Sequence, residues 1–316
     1  MFRPTDVQAI SELPRDRTVV VTGDATMDAA ARAEGFRTAR QAPSEAAFAL
    51  VVLPREKELA RSTIEQAARA VAGRGVLAVD GQKTGGIQSI HTAVRREAPV
   101  EGTLAKAHGR LFWLRPAAGD FASWAAGPPR EVAGGFVTVP GLFSADGPDP
   151  GSVQLAEALP PAMGPRVADL GAGWGYLAAA VLAREGVREV HLVEIEADAL
   201  DCARRNISDP RARFHWADAT AFTASEPFDA VVANPPFHTA RGADVGLGRA
   251  FIEAAAGLLA PRGALWMVAN RHLPYEQTLE TFFESHSEIG GVSGFKLLHA
   301  ERPRRARRGH SARRAC

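Results

Sequence analysis

The chain has 316 residues, which at roughly 150 residues per domain suggests two domains, either long enough to close a core. With 46% hydrophobic and 23% charged residues, 30 glycines and 21 prolines, its make-up is ordinary for a globular protein and excludes a disordered or fibrous chain. The net charge of +1 divides into −6 for the body and +7 for the last fifteen residues, Arg302 to Cys316, which hold seven arginines and no acid.

Two cysteines, Cys202 and Cys316, exclude a disulfide framework and a four-cysteine zinc site, and they fit a reducing, cytoplasmic compartment. Residues Met1 to Asp6 lead into a polar stretch without the apolar region of a signal peptide. No run approaches the roughly 18 apolar residues of a membrane span, so neither secretion nor membrane insertion is expected. The sequon Asn206-Ile207-Ser208 therefore carries no weight.

In chain order, residues 18–23, 48–53 and 75–79 are short β-branched apolar runs, separated by alanine- and charge-rich stretches such as 56–73 that read as helices. The rhythm returns at 166–170, 189–194, 228–234 and 263–270, apolar strands without alternation, as in a parallel sheet covered on both faces. Phe48 to Pro54 echoes Phe228 to Pro235, and Gly75 to Val79 echoes Gly263 to Met267, which reads as a duplication. Between the halves, residues 115–150 carry Gly, Pro and Asp at a density that forbids long regular elements, and the junction is placed near residue 130.

Val167 to Tyr176 is a strand running into the glycine-rich turn Gly171-Ala172-Gly173-Trp174-Gly175 and then a helix. Glycines at alternate positions let backbone approach a ligand where a Cβ would collide. Such a turn alone could serve a dinucleotide, a phosphate or nothing. Glu194 closes the next strand, where a carboxylate can accept both hydroxyls of a ribose, and Asp218, followed by Ala219, comes between the runs 189–194 and 228–234, after a further strand, at a position suited to an adenine amine. With Asp169 these residues look like a site for S-adenosylmethionine, a ligand without a pyrophosphate.

The fourth strand ends in Asn234-Pro235-Pro236-Phe237. An exocyclic amine on a nucleobase is a poor nucleophile, so a site for it must hold both N–H groups by acceptors and aim the nitrogen at the methyl donor. The Asn234 side-chain oxygen and the Pro235 carbonyl are suitable acceptors, two prolines stiffen the loop, and Phe237 offers a stacking face. No strong external base is required, because the amine becomes acidic as it acquires the methyl group.

Three separated motifs, Pro140 to Ser152, Asn234 to His238 and Ala269 to Tyr275, resemble those of the bacterial ribosomal RNA guanine-N2-methyltransferases of the small-subunit type C family, with the large-subunit type G enzymes close behind. The resemblance implies an α/β fold of two tandem class I (Rossmann-like) methyltransferase domains with mainly parallel sheets. Residues 1–125 would be a degenerate copy used for RNA binding or structure, 130–301 the catalytic domain and 302–316 a basic, disordered tail. In the first half, Thr22-Gly23-Asp24-Ala25 lacks the triple glycine pattern, and Leu53-Pro54-Arg55-Glu56 stands where the Asn-Pro-Pro-aromatic segment would be. The family implies Asp169, Gly171 and Gly173 at the methionine end of S-adenosylmethionine, Glu194 at its ribose, Asp218 at its adenine, and Asn234 to Phe237 at the guanine. Ala172, Gly175, Ile195 and Ala219 complete the expected cofactor contacts. The expected partner is ribosomal RNA or a ribosomal subunit, the chain being a monomer.

Adenine or a protein glutamine as the acceptor, and a non-catalytic RNA-binding role, remain open at this level. Gly81 to Gly86 resembles a phosphate loop but lacks its first glycine and reads as a turn. His238 next to the Asn-Pro-Pro-Phe segment reads as structural, and the nine histidines show no paired-ligand spacing, so no metal is expected. Ser144, Asp146 and Asp149 form no hydrolase triad and are expected to order the loop bordering the cofactor pocket.

Overall fold

The computed structural model describes residues 1–236, 238–239, 242–243 and 245–304. The amino-terminal half runs β1 (Val19–Val21), α1 (Ala25–Ala33), β2 (Arg37–Ala39), β3 (Phe48–Val52), α2 (Lys57–Val71), β4 (Val76–Gln82), α3 (Ile87–Glu97), β5 (Gly102–Lys106) and β6 (Gly109–Leu114). A hairpin, β7 (Arg130–Val132) and β8 (Phe136–Thr138), and then α4 (Pro150–Ala158) follow. The carboxy-terminal half continues with β9 (Arg166–Leu170), α5 (Tyr176–Leu182), β10 (Glu189–Glu194), α6 (Ala197–Asn206), β11 (Ala212–Trp216), β12 (Phe228–Ala233), β13 (His238–Thr239) and β14 (Gly242–Ala243). It closes with α7 (Val245–Leu258), β15 (Leu259–Asn270), α8 (Glu276–Phe282), β16 (Phe283–Gly290) and β17 (Phe295–Pro303).

The second half forms one seven-stranded sheet in the order β11-β10-β9-β12-β15-β17-β16, parallel except for β17, which runs antiparallel to both neighbours. Alternation along each strand builds the two faces. Ala168 and Leu170 pack with Phe251, Ile252 and Ala255 of α7, whereas Val167 packs with Leu155 of α4, Leu177 and Val181 of α5 and Leu200 of α6. Helices therefore cover both faces, as the unbroken apolar strands require. Chain order reverses between β9 and β12, so the loops after β9, β10 and β12 surround one crevice at the carboxyl ends of the strands, where open α/β sheets bind ligands.

The first half repeats this order in shortened form. β3-β4-β6-β5 has the same parallel, antiparallel, antiparallel pairing as β12-β15-β17-β16, and β1-β2 pairs in parallel like β10-β11. Between the two groups stands a single residue, Phe2, bridged in parallel to Val21 on one side and Val51 on the other. Phe2 is thus what remains of the strand corresponding to β9. This corrects the alignment of Thr22-Gly23-Asp24-Ala25 with the glycine turn: the segment follows the second strand, and the turn's counterpart is Arg3-Pro4-Thr5-Asp6. Leu53-Pro54-Arg55-Glu56 does follow the strand equivalent to β12.

Equivalent segments of the two halves meet. Asp24 and Glu196, the residues preceding α1 and α6, form an antiparallel bridge, with the Ala25 amide donating to the Ile195 carbonyl (3.0 Å) and the Ala197 amide to the Gly23 carbonyl (2.8 Å). Reciprocal bonds of this kind give the junction a local two-fold. Arg3 pairs with Glu196 (2.7 Å), and a Cβ on Gly23 would lie 2.0 Å from Glu196 Oε1, so a larger residue there would displace the Glu196 carboxylate from its place beside Arg3.

Residues 115–150 hold no strand longer than the three-residue β7 and β8, short enough to coexist with the glycines and prolines around them. One expectation needs correcting here. The tail does not begin at residue 302: Arg302 and Pro303 belong to β17, and the Arg304 amide donates to the Phe282 carbonyl. Residues 305–316, the remainder of the tail, lie outside the described residues.

Candidate active site

The glycine turn closes tightly onto β10: the amides of Gly171 and Ala172 donate to the Val193 carbonyl, and that of Gly175 to the Ala172 carbonyl. Gly171, Gly173 and Gly175 all have positive φ, +74°, +54° and +94°, a region costly for residues with a Cβ. Their surroundings differ. A Cβ on Gly173 would meet nothing within 4 Å, whereas one on Gly175 would lie 2.9 Å from Ile207 Cδ1 and one on Gly171 3.3 Å from Phe251 Cε1. Gly173 therefore leaves space for a ligand, while Gly175 lets α5 and α6 pack and lines no cavity. Trp174 and Tyr176 pack with Phe136 behind the turn, and the Asn206 amide nitrogen donates to the carbonyls of Val137 and Trp174, fixing β8 to it.

Beside the turn lies a cavity of about 370 Å³. Gly171, Gly173, Glu194, Ile195, Asp218, Ala219, Asn234 and Pro236 border it, so residues from the ends of four strands meet at one cavity. Ala172 borders a smaller adjoining cleft with Asp149, Ser152, Gly173 and Asn234. Glu194 is almost fully buried; its Oε2 accepts from the Gly173 amide and its Oε1 from the Glu196 amide, both at 2.8 Å. Each oxygen keeps a second lone pair, which suits a pair of vicinal hydroxyls. Burial pushes the Glu194 carboxyl above the usual range, against the pull of those amides. Asp218 Oδ1 accepts from the Thr220 amide and hydroxyl, leaving Oδ2 outside these bonds.

Asp169 is placed differently from its assignment. It is fully buried on the face of β9 covered by α4 to α6, borders neither cavity, and among the described residues neither oxygen has a partner at full hydrogen-bond distance, the Ala178 amide being the donor nearest to serving it. Burial pushes its carboxyl up to about 7, the Glu194 charge adds to this, and the Ala178 amide opposes it. A carboxyl with a folded pKa above its unfolded one binds more protons in the folded state, so it lowers stability as pH rises from about 4 to about 7. Without cofactor, the melting temperature of the wild type relative to Asp169→Asn is expected to fall across that window. Scanning calorimetry of both proteins from pH 4 to 8 checks this, and parallel curves would contradict it.

Asn234 follows β12. Its Nδ2 donates to Asp149 Oδ2 (2.8 Å) and to Ser152 Oγ (2.7 Å), and among the described residues its buried Oδ1 has no partner. A buried acceptor left empty costs about 1–3 kcal/mol, so this oxygen calls for a donor beyond the described residues, as a ligand would supply. Pro235 is buried and Pro236 exposed; Phe237 and the side chain of His238 lie outside the described residues.

Sequence reasoning missed part of the wall. Val139 to Phe143 border the cavity, with Phe143 64% exposed at its mouth, as do Leu247 and Phe251 of α7. Leu59, on α2 of the first half, closes the cavity beside Gly141, where a Cβ would come 2.9 Å from Leu59 Cβ. An apolar residue at the third position of an amphipathic helix reads as core, and nothing local marks it otherwise. Truncating it removes apolar wall worth roughly 1 kcal/mol, so Leu59→Ala is expected to weaken cofactor binding about three- to tenfold without changing kcat at saturation. Titration calorimetry checks the affinity. The third motif is structural: Leu273 and Tyr275 are core, and Arg271 bonds Glu288 and the carbonyls of Gly291 and Phe295.

A larger cavity, about 680 Å³, opens at the corresponding edge of the first half, lined by Pro4, Thr5, Asp6, Leu53 and Pro54. Its charged groups are already engaged: Arg3 by Glu196, Asp6 by the Ala9 amide and Asp24 as the cap of α1. Among the described residues no cluster of His, Cys, Asp and Glu is arranged to hold a metal, and no helix is long and apolar enough to cross a membrane.

Residues 133–299 match the family model described as methyltransferase small domain. The chain is 30% identical over 320 residues to the ribosomal RNA small subunit methyltransferase C of Hahella chejuensis, covering 95% of this chain and 90% of that protein. The chain belongs to this family. The family enzyme of Shewanella loihica is likewise 30% identical, over 81% of this chain and 78% of its own length. Among solved structures, the T. thermophilus 16S rRNA N2 G1207 methyltransferase in complex with AdoMet and guanosine superposes with a TM-score of 0.74 at 27% identity, over 90% of this chain and 82% of that one. The family's two-domain α/β architecture is the one described above.

Proposed function

We propose that the chain transfers the methyl group of S-adenosylmethionine to the exocyclic N2 amine of a guanine in small-subunit ribosomal RNA. The observation that carries this reading is the Asn234 side chain, whose two hydrogens are spent inside the protein and whose buried oxygen is empty beside the glycine turn. The names of the family relatives, and the AdoMet and guanosine bound to the T. thermophilus enzyme, support it.

The residues present fit the cofactor: the open space at Gly173 would be filled by any Cβ, and Glu194 offers a paired acceptor. When bound, S-adenosylmethionine supplies an electrophilic methyl on a sulfonium. Gly171, Ala172 and Gly173 hold its methionine end, Glu194 and Ile195 its ribose, and Asp218 and Ala219 its adenine; Gly175 acts by packing the turn. Asn234 Oδ1 and the Pro235 carbonyl accept the two N–H groups of the guanine amine, while Pro236 borders the base. Holding both hydrogens in the plane of the base aims the nitrogen lone pair out of it, toward the methyl, and alignment supplies much of the rate. The amine is freed from pairing by unstacking the guanine.

Residues 130–301 carry the reaction. In residues 1–125 the first strand has shrunk to Phe2 and its glycine turn is Arg3 to Asp6, so that copy serves as wall and RNA surface. Incubating the protein and labelled cofactor with undermodified small and large subunits, then mapping the label, tests this: N2-methylguanosine in small-subunit RNA is expected. Label on adenine or on protein would overturn it.

A further inference from the structure

We propose that Asp149 and Ser152 are positioning residues for the transfer, fixing the Asn234 amide so that its oxygen, and never its nitrogen, meets the target amine. This rests on the reading of Asn234 as the amine acceptor. Asp149 stands 85 residues before Asn234 at the start of α4, where Pro150 occupies the first turn and Ser152 follows. One carboxylate oxygen, Oδ2, accepts both the Ser152 amide (2.9 Å) and Asn234 Nδ2 (2.8 Å), and Ser152 Oγ takes the second amide hydrogen (2.7 Å).

An asparagine side chain is nearly symmetric in shape, and rotating it by half a turn exchanges acceptor for donor. A donor facing the target amine would repel its N–H groups. An ionised carboxylate only accepts, so the flipped amide would set oxygen against oxygen at hydrogen-bond distance; the Asp149 charge therefore selects one orientation. Gly151 makes the arrangement possible, since a Cβ there would lie 2.9 Å from the same Oδ2 and 3.1 Å from the Phe295 ring. Capping α4 needs only the bond from the Ser152 amide. The two bonds to Asn234 are additional.

The test separates capping from positioning. Serine caps helices about as well as aspartate, but its shorter hydroxyl cannot serve the Ser152 amide and Asn234 together. Asp149→Ser is expected to melt like the wild type, to bind S-adenosylmethionine within about twofold, and to lose roughly 30- to 100-fold in kcat on undermodified subunits. Asp149→Asn, which can return an acceptor oxygen to the same place, is expected to recover to within about fivefold, and Ser152→Ala to lose about five- to tenfold. In an Asn234→Ala background Asp149→Ser is expected to cost nothing more in single-turnover rate. Wild-type kcat in Asp149→Ser, or an undiminished loss in the Asn234→Ala background, would overturn the proposal. If Asp149→Ser does not fold, Ser152→Ala decides by the same measurements. Wild-type turnover by Asn234→Ala defeats the acceptor reading itself; slow Asn234→Ala beside fast Asp149→Ser defeats only the positioning.

Discussion

Asn234→Ala is expected to lower kcat for methyl transfer by about 10²–10³-fold and to leave the affinity for S-adenosylmethionine within a few-fold of wild type. The two effects separate because of where the side chain sits. Its nitrogen is committed to Asp149 and Ser152, and among the described residues its oxygen has no partner. Removing it takes away an acceptor needed only when the amine is aligned, whereas Glu194, its amide donors and the glycine turn stay as they are. Asp149 keeps the Ser152 amide as a partner, so α4 stays capped. Single-turnover transfer on undermodified subunits, beside calorimetric titration of the cofactor, checks both halves. A variant that turned over normally would remove Asn234 from the reaction.

What could be read along the chain is what depends on local pattern. Four of the five strands of the second half that pair in parallel announce themselves as apolar runs because both faces of the sheet are covered, whereas the edge strand β11, with Arg213 and His215, shows no such run; Gly171, Glu194, Asp218 and Asn234 each end or follow a strand. The signals that failed concern distance. Phe2 acts as a strand of one residue because Val21 and Val51 flank it, and no periodicity exists in one residue. Asp149 reads as an ordinary helix cap before a proline, and its reach to Asn234 depends on α4 standing beside the end of β12. Leu59 reads as core because it is apolar on an amphipathic helix; that it faces a cavity follows from how the halves meet at Asp24 and Glu196. Asp169 shows the reverse: its place in the motif suggested contact with ligand, but alternation along β9 turns it under α5.

Gly173→Ala and Gly175→Ala, identical in composition and two residues apart, should fail in different ways. At Gly173 the methyl group projects into open space, so the only cost to the free protein is the left-handed backbone at φ +54°, about 1–2 kcal/mol. On the proposed reading the space it fills is the one the cofactor needs, and Gly173 also presents its amide to Glu194. Its melting temperature is expected to fall by only a few degrees, while S-adenosylmethionine binding weakens by at least about 100-fold. At Gly175 the methyl group meets Ile207 Cδ1 at 2.9 Å and Ala203 Cβ at 3.4 Å, on a backbone at φ +94°. Steric crowding between α5 and α6 adds about 1–3 kcal/mol to the backbone strain, so the melting temperature drops further. The residual folded protein still binds cofactor with near wild-type affinity, because Gly175 borders neither cavity. Thermal melts and calorimetric titration of both variants at one temperature, below the lower transition, distinguish the two failures. Equal loss of cofactor affinity in both would show that the turn responds as a single strained unit and that Gly173 has no separate role in leaving room for the ligand.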